Sequence, residues 1–426
     1  MTTLAPTPVA WRTIGLKFLA LILIYAVVVH GIPRPETVKP EGWRLTGIFL
    51  ATIGGLILQP IPGGALVLMA VTLAAMIGGL TIQESLAGYA DSAVWLVIAA
   101  FIISRALINT GLARRIALLF VRRFGGSSLG VCYSLAMSDM LLAGIIPSNG
   151  ARSGGIILPL ARSIAELYGS SPGATAGRLG SFLMNGVYQS ICITSAMFFT
   201  GQASNPMAAR IAGQQFGYEI TWTSWLVAGI VPGLCSLAIV PWLVMRLNPP
   251  EIRRTPEAAA FAAAQLRELG PVKRSEMILA AVFAGVCGMW VTSAVHGMHV
   301  TVTALVGACT LLVTGVVSWE DVKNEKTAWD LFVWYGGVLR LGQAINDAGV
   351  TREFANGVGA QFADVGWIAL FGVALVIYFY AHYGFASITA HILAMYPPFL
   401  MTVSRSLPRA ATSRAVAIHF FCGRSL

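Results

Sequence analysis

Residues 145–155 read Ile-Ile-Pro-Ser-Asn-Gly-Ala-Arg-Ser-Gly-Gly and interrupt a stretch that is otherwise apolar from Leu129 to Leu160. Pro147 cannot donate a backbone hydrogen bond, and glycine removes the side-chain barrier to a tight turn. The stretch therefore reads as two helical arms broken at a polar tip. The same residues also fit a kinked core helix with a hydrogen-bonded Ser–Asn pair. If the surroundings are lipid, bare backbone at such a tip costs several kcal/mol per group, so the tip must be enclosed by protein or line a watery cavity.

Composition decides what the surroundings are. Of 426 residues, 56% are hydrophobic and only 11% are charged, and mean hydropathy is +0.74. Soluble domains carry about 25% charge, so the chain reads as an all-α polytopic membrane protein. Its 45 glycines suit close helix packing in lipid. The net charge of +10 sits in short segments between apolar runs. It reads as a topology signal, which argues against nucleic acid as a partner. Five of the six cysteines (Cys132, Cys192, Cys235, Cys287, Cys309) fall in apolar runs and none forms a CxxC pair, so they read as small core residues. The first run, 14–32, lacks a small-residue cleavage pattern and reads as a retained helix with a cytoplasmic N-terminus beside Arg12 and Lys17.

Spans are expected at 14–32, 45–61, 65–80 and 91–111, followed by a cytoplasmic cluster of Arg114, Arg115, Arg122 and Arg123. The broken stretch then enters from the cytoplasm. A polar span at 176–199 carries Asn185 and Gln189 four apart on one face, expected to look into the protein. It ends in a second break, Thr200-Gly201-Gln202-Ala203-Ser204-Asn205-Pro206. After a span at 222–245, segment 246–276 looks soluble. Thr255-Pro256-Glu257 predicts a capped surface helix that Gly270 and Pro271 end. Further spans are expected at 277–295, 300–317 and 329–348. A second hairpin over 367–400 has its tip at 382–391.

The halves repeat weakly. Asn109 pairs with Asn346, Gly111 with Gly349 and Ser148 with Ser387, at a nearly constant offset. The first hairpin enters from inside and the second from outside, which is the inverted-topology arrangement of secondary transporters.

Several motifs in fixed order carry a more specific likeness. They are Gly88-Tyr89-Ala90-Asp91, Val94-Trp95-Leu96-Val97, Ile103-Ser104-Arg105, Arg114-Arg115-Ile116-Ala117, Pro147-Ser148-Asn149 with Ala151-Arg152-Ser153-Gly154-Gly155, the second break at 200–206, and His382-Tyr383 with Phe385-Ala386-Ser387 and Thr389-Ala390-His391. Over residues 40–400 the chain resembles the divalent anion/sodium symporter family. It is most similar to the bacterial citrate/succinate exchangers and plastid 2-oxoglutarate/malate translocators. That resemblance implies no enzyme but an elevator-type homodimer moving di- or tricarboxylates in a bacterial inner membrane, with no cofactor beyond sodium as a coupling ion. It also implies a substrate site at Ser148, Asn149, Gly150, Arg152, Ser387, Thr389 and His391. A cation site is implied at Ser148, Asn149, Thr200, Gly201, Ser204 and Asn205. Gly150 replaces the family's threonine, and Ser387-Ile388-Thr389 lacks its central asparagine, which favours the exchanger branch over sodium coupling.

Donor chemistry fits an anion. Hydroxyls, an amide and helix-end N–H groups bind carboxylates, and Arg152 pairs with them bidentately unless it snorkels to the cytoplasmic surface. His391 shares the second tip's face or is a structural histidine. The expected organisation is scaffold helices at 1–126, the first hairpin and transport helices at 127–247 and a linker helix at 248–274. Second scaffold helices at 275–365, the second hairpin at 366–400 and an atypical tail at 401–426 complete it. The arginine- and serine-rich tail has no spanning run, so it reads as out of frame, with the family's C-terminal helices missing and transport impaired. Alternatives are a sodium-coupled dicarboxylate or inorganic-anion symporter, an anion-binding channel or receptor, and an inactive truncated member.

Overall fold

The computed structural model describes residues 8–144, 146–216, 220–361, 366–385 and 388–406. All regular elements among them are helices. Ser387 and residues 407–426 lie outside the described residues, and of the side chain of Thr389 nothing is described. The chain divides into two compact units. One comprises residues 1–95, 207–219 and 326–425, the other residues 96–206 and 220–325.

In the first unit, Pro40–Leu58 and Gly63–Met76 pack on Lys326–Asp347. Leu45, Ile48, Ala70, Ala74, Leu341, Ala344 and Ile345 form its core. Gly88 and Gly336 let two backbones touch. A Cβ on Gly88 would lie 2.0 Å from the Gly336 carbonyl, and one on Gly336 would lie 2.4 Å from the Tyr89 ring. Arg340 donates from Nε to the carbonyl of Glu84 at 2.7 Å, and Arg210 pairs with Asp91 at 3.0 Å. The helix Val350–Gln361 was not foreseen from sequence. The segment expected to form a second hairpin holds two helices that pack on each other, Trp367–Ala381 and Ile388–Ser406.

The second unit holds the first break. Its leading arm is Ser128–Ala143. The Ile146 N–H still donates to the Leu142 carbonyl at 3.0 Å, and the chain is non-helical from Ile146 to Ser148 before a return arm that runs as Asn149–Arg152, a π-helical turn Ser153–Ile157, and Leu158–Leu167. Gly180–Met197 and Trp222–Leu247 pack on the leading arm. Gly186 makes room for Cys132, whose Sγ would stand 2.3 Å from a Cβ there.

Four described helices are long and apolar enough to cross a membrane: Trp11–Gly31, Ser92–Thr110, Trp222–Leu247 and Arg274–Val291. The spans expected at 65–80 and 300–317 form helices of only 14 residues, Gly63–Met76 and Val300–Val313. Gly79 and Gly315, both at positive φ, lie just past their ends, where glycine admits a left-handed turn at no steric cost.

Several expectations are corrected. Asn185 is exposed and Gln189 only half-buried. The inward stripe of Gly180–Met197 is set by Leu183, Gly186, Val187, Ser190 and Thr194, leaving Asn185 outside. Cys235 and Cys309 are exposed and are not core residues. Arg115 is no loop charge. The helix Leu112–Phe124 turns it inward, where it pairs with Glu276 at 2.5 and 3.1 Å and donates to the Gly270 carbonyl at 3.0 Å.

The linker helix, Pro256–Leu269, ends at Gly270 with φ +70 as expected, but it is not a free surface element. Ala258 and Ala262 are fully buried. Thr255 does not cap it either: its hydroxyl donates to the Gly125 carbonyl at 2.8 Å, and the Ala258 N–H is met instead by the Tyr168 hydroxyl at 3.2 Å. Tyr168 also donates to Glu257, and burial together with that carboxylate pushes its phenol up to about 12. Residues on either side of the linker's start pair with backbone elsewhere. Ser128 N–H donates to Arg253, Thr255 N–H to Gly126, Glu251 N–H to Gly177, and Ile252 N–H to Arg178.

Candidate functional site

Two breaks meet in the second unit. The first lies at Ile146–Ser148, before the return arm. The second lies at Phe198–Ala203, after Gly180–Met197 and before a further helix starting at Ser204. The Thr200 hydroxyl donates to the Gly144 carbonyl and so ties one break to the other. Asn205 donates from Nδ2 to the carbonyls of Ser195 and Phe198, 2.8 Å each, and accepts at Oδ1 from Gln202 at 2.9 Å. Asn149 Nδ2 stands 3.4 Å from Gln202 Oε1.

Arg152 sits at the centre and is fully buried. Its Nε donates to Asp139 Oδ1 at 3.0 Å. One terminal nitrogen donates to the Ile146 carbonyl at 2.6 Å and to the Gly201 carbonyl. The other reaches Ser195 Oγ at 2.7 Å and Asn149 Oδ1 at 3.4 Å. A guanidinium has five N–H groups, and all five are used. Arg152 therefore does not stand in this conformation as a fixed cation offered to substrate, nor does it snorkel. It fills a cage of oxygens contributed by both breaks. Asp139 supplies the countercharge and accepts at its other oxygen from Thr194.

Of the six residues expected to hold a cation, Asn149 and Gly201 point oxygens at the guanidinium, while Thr200 and Asn205 brace the breaks. Ser204 is buried where the helix after the second break begins. Ser148 caps the return arm, accepting from the Ala151 N–H at 3.2 Å. Ser148 and Asn149 are half-buried and Gly150 is exposed, so the start of the return arm is within reach of a ligand. There the first N–H groups of a helix point outward with the positive end of its dipole.

The family described as sodium:sulfate symporter transmembrane region matches residues 14–424. The chain belongs to that family. This sodium:sulfate symporter family member is 42% identical over 397 residues to the putative malate transporter YflS of Bacillus subtilis, covering 92% of this chain and 83% of that protein. It is 39% identical over 420 residues to the chloroplastic dicarboxylate transporter 1 of Arabidopsis thaliana, covering 98% of this chain and 75% of that one. It is 34% identical over 398 residues to the inner membrane protein YbhI of Escherichia coli, covering 91% and 83%. It is an integral membrane transporter of the divalent anion/sodium symporter type and not an enzyme.

In the helix Ile388–Ser406 of this family member, His391 is fully buried. Its ring lies 4.3 Å from that of Tyr378 and 5.1 Å from those of His382 and Phe385. The expected site residues thus fall on separate elements: Ser148, Asn149, Gly150 and Arg152 around the first break, and Thr389 and His391 on the arm Ile388–Ser406. Sequence reasoning missed Asp139, Thr194 and Ser195. A carboxylate inside the apolar run 129–145 was the available signal, since an acid at membrane depth marks function and has a partner.

Proposed function

We propose that the protein exchanges small dicarboxylates of the malate and 2-oxoglutarate class across a bacterial inner membrane, without sodium at the first break. The observation that carries this is the guanidinium of Arg152 inside the oxygen cage. Convergent carbonyl, amide and hydroxyl oxygens are the ligands a hard cation takes. Here a covalently attached cation occupies them and cannot be exchanged with solution. Coupling to an ion gradient needs an ion that comes and goes, and this centre offers it no room.

The substrate's carboxylates then meet the Ser148 hydroxyl, the Asn149 amide and the N–H groups opening the return arm. Ser387, Thr389 and His391 are proposed as further substrate residues from the family resemblance. Alternation of the two tips between membrane faces is the elevator motion of a homodimer with inverted halves and a cytoplasmic N-terminus. The names of the relatives, malate and dicarboxylate transporters, support the substrate class.

The test is uptake of labelled malate, 2-oxoglutarate, succinate and citrate into proteoliposomes, with and without sodium, and with or without internal dicarboxylate. Uptake that needs internal dicarboxylate and ignores sodium is expected. Uptake into empty vesicles that rises with sodium would replace exchange by symport, the activity named in the family's description.

A further inference from the structure

A cavity of about 550 Å³ in the first unit borders Asp330 and Trp334, but it carries no paired recognition groups. A second cavity does. It has a volume of about 480 Å³ and is lined by Ser127, Leu129, Met245, Arg246 and Arg253. It lies between the start of the leading arm and the end of Trp222–Leu247. Among the described residues, neither arginine is paired with a carboxylate. Arg246 is held by the Trp242 ring, with its guanidinium carbon 5.2 Å from the centroid. Arg253 is held by its backbone, whose carbonyl accepts from the Ser128 N–H at 3.1 Å. Two exposed arginines therefore line one space, one of them stacked on a tryptophan ring.

The surface that leads away from this cavity is apolar. Val227, Val231, Ile239, Trp242, Leu243 and Leu247 are exposed along Trp222–Leu247. Tyr133 bridges to that helix by donating to the Ala238 carbonyl. A tryptophan and an arginine one turn apart mark the headgroup level of a membrane helix. A free inorganic anion would use the arginines and leave the exposed apolar side chains idle.

We propose that this cavity is a binding site for one anionic phospholipid of the cytoplasmic leaflet. The phosphodiester takes Arg246 and Arg253, and an acyl chain lies along Trp222–Leu247. Basic pockets between helices on the cytoplasmic side bind anionic headgroups, each arginine contributing about fivefold in affinity.

The test is native mass spectrometry of the full chain released from vesicles of phosphatidylcholine containing phosphatidylglycerol with the same acyl chains. Retention of one phosphatidylglycerol is expected. Arg246→Gln/Arg253→Gln is expected to lower retention by about thirtyfold, and Arg12→Gln, elsewhere in the chain, is expected to leave it unchanged. Equal retention by the double variant, or an equal loss in Arg12→Gln, overturns the site. So does protection of the detergent-solubilised protein by inorganic phosphate equal to that by phosphatidylglycerol, which would make this an ion site and not a lipid site.

Discussion

Arg152→Gln removes the guanidinium and leaves Asp139 buried without its countercharge, beside four further oxygens that have each lost one donor, Asn149 Oδ1 keeping the Ser195 hydroxyl. Breaking a buried pair by deleting one partner costs about 3–5 kcal/mol. At roughly 1.4 kcal/mol per decade, that shortens the folded lifetime by about two to four orders of magnitude if the loss falls on the unfolding rate. Asp139→Asn in the same background removes the stranded charge, and the double variant should regain most of the lifetime, because the new amide oxygen can still accept from Thr194. The assay is the half-life of monodisperse protein in detergent at fixed temperature, measured for wild type, both single variants and the double. Sodium is added to each in turn. Arg152→Gln presents a vacant oxygen cage with a carboxylate, so sodium should lengthen its lifetime while leaving wild type unmoved. If Arg152→Gln survives as long as wild type, or sodium stabilises wild type as much as the variant, the cage is not a filled cation site.

Other outcomes are expected elsewhere. Arg115→Ala strands Glu276 by the same mechanism and should shorten the half-life in detergent, with Glu276→Gln in that background restoring part of it. The Tyr168 phenol is raised on folding to about 12, so its contribution to linker docking is fully present below the unfolded value of about 10 and is lost as pH rises through the folded value. Proteolysis within 256–269 should therefore quicken between pH 10 and pH 12 in wild type, while Tyr168→Phe should be cut faster at pH 9 and show less further change. Gly336→Ala drives a Cβ into the Tyr89 ring and should cost about 1–3 kcal/mol, seen as lower yield of folded protein than for Gly342→Ala, which has open space. In a chain freed of native cysteines, Cys at Ala259 should react with membrane-impermeant maleimide only from the cytoplasmic side and Cys at Met298 only from the opposite side. The reverse pattern would invert the proposed topology.

The helix break was legible because Pro147 and the glycines act locally on the backbone, and the end of the linker helix at Gly270 was legible for the same reason. What Arg152 does was not. Its partners lie at 139, 146, 149, 195 and 201, and only the meeting of two breaks brings them together. Arg115 was hidden among four arginines that share a sign. The register of Leu112–Phe124, not composition, decides which one turns inward. Asn185 and Gln189 show the converse limit. Spacing of four puts two residues on one face but does not say which face, and here the small Gly186 and the hydroxyls of Ser190 and Thr194 took the interior.

The way the linker is fastened restricts how its length can change. Glu251, Ile252, Arg253 and Thr255 each bond to a different backbone group in residues 126–128 or 177–178, and Gly270 and Glu276 both meet Arg115. A residue inserted between Glu251 and Thr255 would put at least one of those partners out of register by about 3.5 Å. One inserted between Ala258 and Ala262 would rotate one away from the other by about 100°. The connector of this chain is therefore a gauge of fixed span and not slack between two halves. Variation in its length has to accumulate outside residues 251–276.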